Sequence, residues 1–138
     1  MATNKDPFFL NTIIQTNGEI DNAQGTTTEV IFTPGADGGA VTNLVATTTD
    51  TSSVTLVISV NDGSSTNVVG EVTIPAGSGT DCTSLPVNVL TNVGMTGNNQ
   101  NDGSMLLGPS STLVINAKSA VTAAKVLSIT ATGGSFTA

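Results

Sequence analysis

The residue types that most often do chemistry in proteins are scarce in this chain of 138 residues. It contains no histidine, arginine, tryptophan or tyrosine, and its single cysteine is Cys82. Those types supply most general bases, metal ligands, phosphate clamps and base-stacking surfaces. Their joint absence favours a structural or interaction protein over an enzyme, so the sequence predicts no catalytic residue, no metal ligand and no cofactor.

Carboxylates are the one group that could still act in catalysis. Glu19, Glu29, Glu71 and the aspartates could meet in space as the acid pair of a glycoside hydrolase. Sugar sites usually add an aromatic platform, and the chain has no Trp or Tyr. Serine nucleophile chemistry is disfavoured as well, because no histidine can serve as base and no Ser-x-x-Lys pattern occurs.

Calcium is the metal that this composition could still bind, because it needs only oxygen ligands. The polar run at 98–103 has the Asn, Asp and Gly content of a calcium loop, but no Glu or Asp follows where a bidentate ligand would lie. Residues 61–63 (Asn-Asp-Gly) are typical of a hairpin turn. Both runs are therefore interpreted as loops.

The charge distribution argues against polyanionic partners. Lys5, Lys118 and Lys125 are the only cations, against ten carboxylates, which gives a formal net charge of -7. Nucleic acids and anionic lipid surfaces are bound by clustered Lys and Arg. We therefore expect no nucleic-acid partner and no membrane partner.

The first residues show no targeting pattern. Their apolar clusters are short and interrupted, unlike the continuous core of a signal peptide or a membrane span. This favours synthesis in a cytoplasm. Cys82 has no second cysteine to pair with, so the sequence predicts an inert thiol, with a bond between subunits as the alternative.

The elements that must position these residues are short β-strands separated by turn sequences. Alternation of apolar and polar residues is clearest at 54–60, where Val54, Leu56, Ile58 and Val60 share one face. Strands are predicted at 26–33, 41–49, 54–60, 67–74, 83–90, 111–117 and 125–131.

Details within these strands refine the prediction. The strands at 54–60 and 67–74 should form a hairpin, with a bulge or bend at Gly70. Pro86 favours an edge position, because it cannot donate a ladder hydrogen bond. The last strand is predicted to end before Gly133 and Gly134, with Phe136 folding back, most simply into the core.

Together these signals predict an all-β fold, an antiparallel β-sandwich that is jelly-roll-like. The first 25 residues differ from the rest, so we divide the chain into an N-terminal arm or first strand at 1–25 and a single sandwich domain at 26–138. An arm would bury apolar side chains on a neighbouring subunit or another protein. The candidate contact residues in this segment are Phe8, Phe9, Leu10, Ile13 and Ile14.

Two stretches carry a resemblance to a known class of protein. VTLVISVNDGSSTNVVGEVTIPAG and LLGPSSTLVINAKSAVTAAKVLSITATGGSF resemble the small accessory proteins of tailed bacteriophage heads, and the likeness extends over 26–136. It implies a β-sandwich decoration or cement protein, often a homotrimer, that binds the major capsid protein on the capsid exterior and bridges capsomers. The expected location is the virion, after synthesis in the host cytoplasm.

This class has no catalytic motif that can be matched to residues of the chain. The loop at 91–104 is long for the class, and Ser110 and Ser111 follow the Gly-Pro turn where an aromatic residue is expected. An alternative function is a β-sandwich module of a tail fibre or surface adhesin that binds a receptor or glycan.

Overall fold

The computed structural model describes residues 9–93 and 104–137, and strands account for most of them. Within these ranges, no helix is long and apolar enough to cross a membrane. The elements are β1 (Phe9–Asp21), β2 (Glu29–Phe32), β3 (Gly39–Thr48), β4 (Val54–Asn61), β5 (Thr66–Ile74), β6 (Val87–Asn88), α1 (Val89–Asn92), β7 (Met105–Leu107), β8 (Thr112–Ala117) and β9 (Val126–Thr137).

The strands form two antiparallel sheets that pack against each other. Sheet A has the order β1-β9-β3-β6, and β7 also pairs with β3; sheet B has the order β2-β8-β4-β5. Strands that follow each other in the chain mostly lie in opposite sheets. The predicted all-β antiparallel sandwich is confirmed.

The core lies between the sheets and is built almost entirely from aliphatic side chains. The predicted inward faces are confirmed in the two central strands of sheet B, where Leu56, Ile58, Leu113 and Ile115 are fully buried. Burying one such side chain stabilises a fold by about 1.5–3 kcal/mol. Phe32 is the largest fully buried side chain among the described residues.

The β4–β5 hairpin has the predicted turn and bulge. Asn61 Oδ1 accepts a hydrogen bond from the Gly63 amide at 2.7 Å, and Asp62 Oδ1 accepts from the amides of Ser64 and Ser65 at 2.8 Å. Farther along the hairpin, Ile58 opposes Gly70 while Ser59 opposes Val68. Val69 is therefore an extra residue with no partner on β4, which defines a β-bulge.

The prediction that the last strand ends before Gly133 is wrong, because β9 continues to Thr137. Its glycines allow β9 and β3 to approach closely: a Cβ on Gly133 would overlap the carbonyl oxygen of Ala40, and one on Gly39 would overlap that of Gly134. Phe136 is half-buried in the extended strand, and its amide donates to the Gly38 carbonyl at 2.9 Å.

The strand predicted at 83–90 is also largely wrong, since only the two residues of β6 pair with β3. Asp81 Oδ1 accepts hydrogen bonds from the amides of Thr83 and Ser84, both at 2.9 Å, and this local turn competes with strand pairing. After β6, the side chain of Asn88 caps the short helix α1 by accepting from the Thr91 amide.

Candidate interaction surface

Strand β1 forms one edge of sheet A. It pairs with β9 in uninterrupted register from Thr12 opposite Ser135 to Asp21 opposite Val126. No other strand of the described part of the chain pairs with it. Residues 1–25 were predicted to form an arm or a first strand, and in the structure residues 9–21 form a first strand.

The structure separates the residues predicted to contact a partner. Phe8 lies outside the described residues, and Phe9 and Leu10 begin β1. Ile13 is 84% exposed, whereas Ile14 is partly buried and packs against the core. Because neighbouring side chains alternate across a strand, Ile13 and Ile14 lie on opposite faces of sheet A and do not belong to one surface.

Ile13 instead belongs to a row of apolar residues that crosses the outer face of sheet A. Ile13 opposes Gly134, Gly134 opposes Ala40, and Ala40 opposes Leu106. Opposed residues in a sheet point to the same face. We call these four residues on β1, β9, β3 and β7 the apolar row; its ends, Ile13 and Leu106, are 84% and 60% exposed, whereas Ala40 is 4% exposed and Gly134 is buried.

The apolar row lies at one end of sheet A, next to a polar row. That adjacent row consists of Gln15, Thr132 and Asn43, and the following one contains Asn17, Thr130 and the half-buried Val45. Large exposed apolar side chains at the boundary of a polar surface mark an interaction site more strongly than single scattered ones. This end of sheet A is therefore the best candidate for a contact with another molecule.

Sequence reasoning did not identify Leu106 as a contact residue. A signal was available, because Leu106 lies between Met105 and Leu107 in a three-residue strand, and a strand that buries both neighbours must turn the middle residue outward. Met105 and Leu107 are each only 4% exposed. The expectation that Phe136 packs in the core also missed its position on β9, two residues beyond Gly134 on the outer face.

A cleft next to Asp50 is the second candidate site, but the Asp50 carboxylate is fully engaged in hydrogen bonds within the chain. Asp50 is 2% exposed, and its carboxylate accepts from the amide and hydroxyl of Thr122 and from the amide of Ser52, each at 2.9 Å. Burial alone raises the pKa of Asp50, but hydrogen bonds from Thr122, Ser52 and Thr51 outweigh it and leave the pKa below its ordinary value.

The cleft beside Asp50 encloses about 150 Å³ and is otherwise lined mainly by small polar side chains. Lys118 lies at its rim and forms an exposed ion pair with Glu71 at 2.9 Å. With its carboxylate occupied by Thr122 and Ser52, Asp50 joins the loop after β3 to the segment between β8 and β9. Its role in the described structure is to hold these two segments together.

The remaining candidate groups are also engaged in local structure. Hydrogen bonds from the Ser65 and Ser64 amides lower the pKa of Asp62, and those from Ser84 and Thr83 lower the pKa of Asp81. Residues 9–93 and 104–137 contain no group of three or more acidic or cysteine residues able to hold a metal ion. The polar run at 98–103 lies outside the described residues, and Cys82 is exposed.

Comparisons with known proteins add no identification. The chain matches no known protein family model, and a search of curated proteins gives no significant match.

Proposed function

We propose that this protein is a decoration protein of a tailed bacteriophage head, which binds the major capsid protein on the outer surface of the mature capsid and bridges neighbouring capsomers. The observation that carries the proposal is the apolar row, whose exposed ends Ile13 and Leu106 lie on the outer face of sheet A, next to a polar row of Gln15, Thr132 and Asn43. The sequence resemblance over 26–136 supplies the class of protein, and the sandwich fold agrees with that class.

The physical requirements of such a role are modest. A protein that binds only the mature lattice stabilises it by mass action, and many copies together contribute a large stabilisation without any catalytic group. The net charge of -7 also suits the exterior of a capsid better than the interior that faces DNA.

Co-sedimentation with capsids tests the proposal. Wild-type protein should sediment with mature heads that lack it, and it should sediment poorly with unexpanded precursor heads. Leu106→Lys introduces a charge at an exposed position of the apolar row and should weaken this binding by about tenfold or more. The matched control is Val68→Lys on β5, where the valine is similarly exposed at 64%.

Point variants are preferable to deleting the first 25 residues. That deletion would remove β1 together with Ile20, which is fully buried, so lost binding could not be separated from lost folding. Absence of the protein from intact virions, or equal binding by Leu106→Lys and wild type, would contradict the proposal. Specific binding to a glycan array by the purified protein would favour the adhesin function instead.

A further inference from the structure

We propose that two copies of this protein pair through the free edges of their β1 strands, in antiparallel register centred on Ile14, so that sheet A continues from one copy into the other. The inference concerns the purified protein and does not depend on the capsid role.

The edge of β1 differs from the other sheet edges in the described part of the chain. β2, β6 and β7 have four, two and three residues, and the edge of β5 is interrupted by its bulge at Val69. Short strands, bulges and charged residues are the usual means by which proteins prevent edges from pairing. β1 has 13 residues, its one register shift with β9 lies near its start between Leu10 and Thr12, and its first charged residue is Glu19.

The segment 11–17 of β1 is accessible to a partner strand. Every residue in it is exposed or half-exposed. An unpaired edge presents a row of backbone N–H and C=O groups that another strand can satisfy.

Geometry restricts how two copies of the same edge can pair. In an antiparallel ladder, opposed residues both direct their N–H and C=O groups toward the partner strand or both away from it. Two identical edges can meet this condition only when the two-fold axis passes through a residue that opposes its own copy. Pairs centred on Ile13, Ile14 or Gln15 satisfy it, whereas a pair centred on a peptide bond does not.

The sequence of β1 selects the register centred on Ile14, because Asn-Thr-Ile-Ile-Gln-Thr-Asn at 11–17 is nearly the same in both directions. In this register Thr12 opposes Thr16 of the other copy and Ile14 opposes Ile14, and Asn11, at the register shift of β1, lies next to Asn17 of the other copy. Like pairs of Thr side chains in opposed positions stabilise a sheet. Shifting the centre to Ile13 or Gln15 loses each of these matches.

This pairing also explains the exposure of Ile13. In the register centred on Ile14, the two Ile13 side chains become diagonal neighbours on the outer face, within reach of each other. A two-fold axis perpendicular to the sheet keeps both outer faces on the same side. The apolar rows of the two copies therefore lie in line, with the two exposed Ile13 side chains at the centre and an exposed Leu106 at each end.

The oligomeric state of purified protein tests the pairing. In a Cys82→Ser background, light scattering and sedimentation should give the mass of two chains, with the dimer fraction rising with concentration. Ile13→Lys combined with Gln15→Lys places like charges opposite each other across the axis and should weaken association by about tenfold or more. Mixing this variant with Ile13→Glu combined with Gln15→Glu should restore a dimer.

A matched control makes the same change on the other long edge. Thr66→Lys combined with Val68→Lys on β5, where both residues are exposed, should leave dimerisation unchanged. A single chain mass at every concentration, or the three-chain mass implied by the resemblance, would overturn the proposal. Circular dichroism of each variant confirms that the fold is retained.

Single cysteines test the register. Ile13→Cys, Ile14→Cys and Gln15→Cys in the Cys82→Ser background each report a different centre, because opposed Cα atoms in an antiparallel pair lie within disulfide range. After normalisation for thiol reactivity with a small disulfide reagent, Ile14→Cys should cross-link fastest. Fastest cross-linking at another position, or equal rates at all three, would contradict this register.

The capsid role and the β1 pairing can be contradicted independently of each other. A monomeric protein would leave the capsid-binding assay unaffected, since that assay uses Leu106→Lys. Absence of capsid binding would leave the dimer measurement on purified protein unaffected.

Discussion

The two long sheet edges, β1 in sheet A and β5 in sheet B, differ in how regular they are and therefore in how well another strand could pair with them. β5 is interrupted by the bulge at Val69, and a Cβ on the neighbouring Gly70 would lie 3.0 Å from Cγ1 of Val93, the residue after α1. β1 keeps an unbroken register with β9 over ten residue pairs from Thr12 to Asp21. Under the proposed pairing, regularity of the edge matters as much as hydrophobicity, because Val68 on β5 is exposed too.

The largest expected effect comes from disturbing the strand that supports β1. Gly133→Ala places a methyl group on the carbonyl oxygen of Ala40, and we expect the free energy of unfolding to fall by about 3 kcal/mol. Hydrogen exchange should show lost protection in β1 and β9 before the β4–β5 hairpin. Denaturant unfolding measures the overall change.

Gly108→Ala is the control, because its nearest neighbour, Ser111 Oγ, lies at an ordinary contact distance of 3.7 Å. Its stability should stay within about 0.5 kcal/mol of wild type. If the Gly133→Ala protein were as stable as wild type, the close approach of β3 and β9 would not require glycine at this position.

A smaller effect is expected from Asp50, which belongs to neither edge. Asp50→Asn leaves hydrogen-bond donors of Thr122 and Ser52 poorly matched and should lower the free energy of unfolding by about 1–2 kcal/mol at pH 7. Association through β1 should not change. Urea titrations of both proteins at several pH values measure the difference.

The pH dependence of this difference has a defined sign. The folded pKa of Asp50 lies below the unfolded value of about 3.9, so its stabilisation is complete above that value and is lost as pH falls through the folded pKa. The gap between wild type and Asp50→Asn should therefore narrow below about pH 4. A gap that stays constant or widens in acid would contradict this assignment.

The smallest expected change in stability comes from removing the bulge of β5. Deleting Val69 leaves every other pair of the β4–β5 ladder in place, so the free energy of unfolding should change by less than about 1 kcal/mol. In the background of Ile13→Lys and Gln15→Lys, the straightened edge should create a new concentration-dependent association. Sedimentation measures it.

Adding Thr66→Lys to this deletion variant should suppress the new association, because a lysine on an exposed edge hinders pairing. If the deletion variant remains monomeric, the bulge is not what keeps β5 unpaired.

The fold was predicted correctly where local sequence signals agree with the strand pairing found in the structure. The alternation at 54–60, the turn at 61–63 and the glycine in β5 all predicted the observed hairpin. The inward face of β8 was also predicted, because Leu113 and Ile115 follow the same alternation.

The errors arose where pairing between distant segments decides the structure. Gly133 and Gly134 are typical of a turn, and only the close approach of β3 explains why they continue a strand. Conversely, residues 83–86 were predicted to belong to a strand, but the amides of Thr83 and Ser84 donate hydrogen bonds to Asp81 and are not available for strand pairing. The apolar row was missed for the same reason, because it joins four strands from separate parts of the sequence.

The position of β9 between β1 and β3 also determines when sheet A can form during synthesis. The first and third strands emerge from the ribosome long before the last, and neither has its central partner until β9 is available. The β4–β5 hairpin needs only local contacts and can form early. Sheet A, with its close contact at Gly133, therefore cannot be completed before β9 has been synthesised, and until then the edges of β1 and β3 depend on other protection against misassembly.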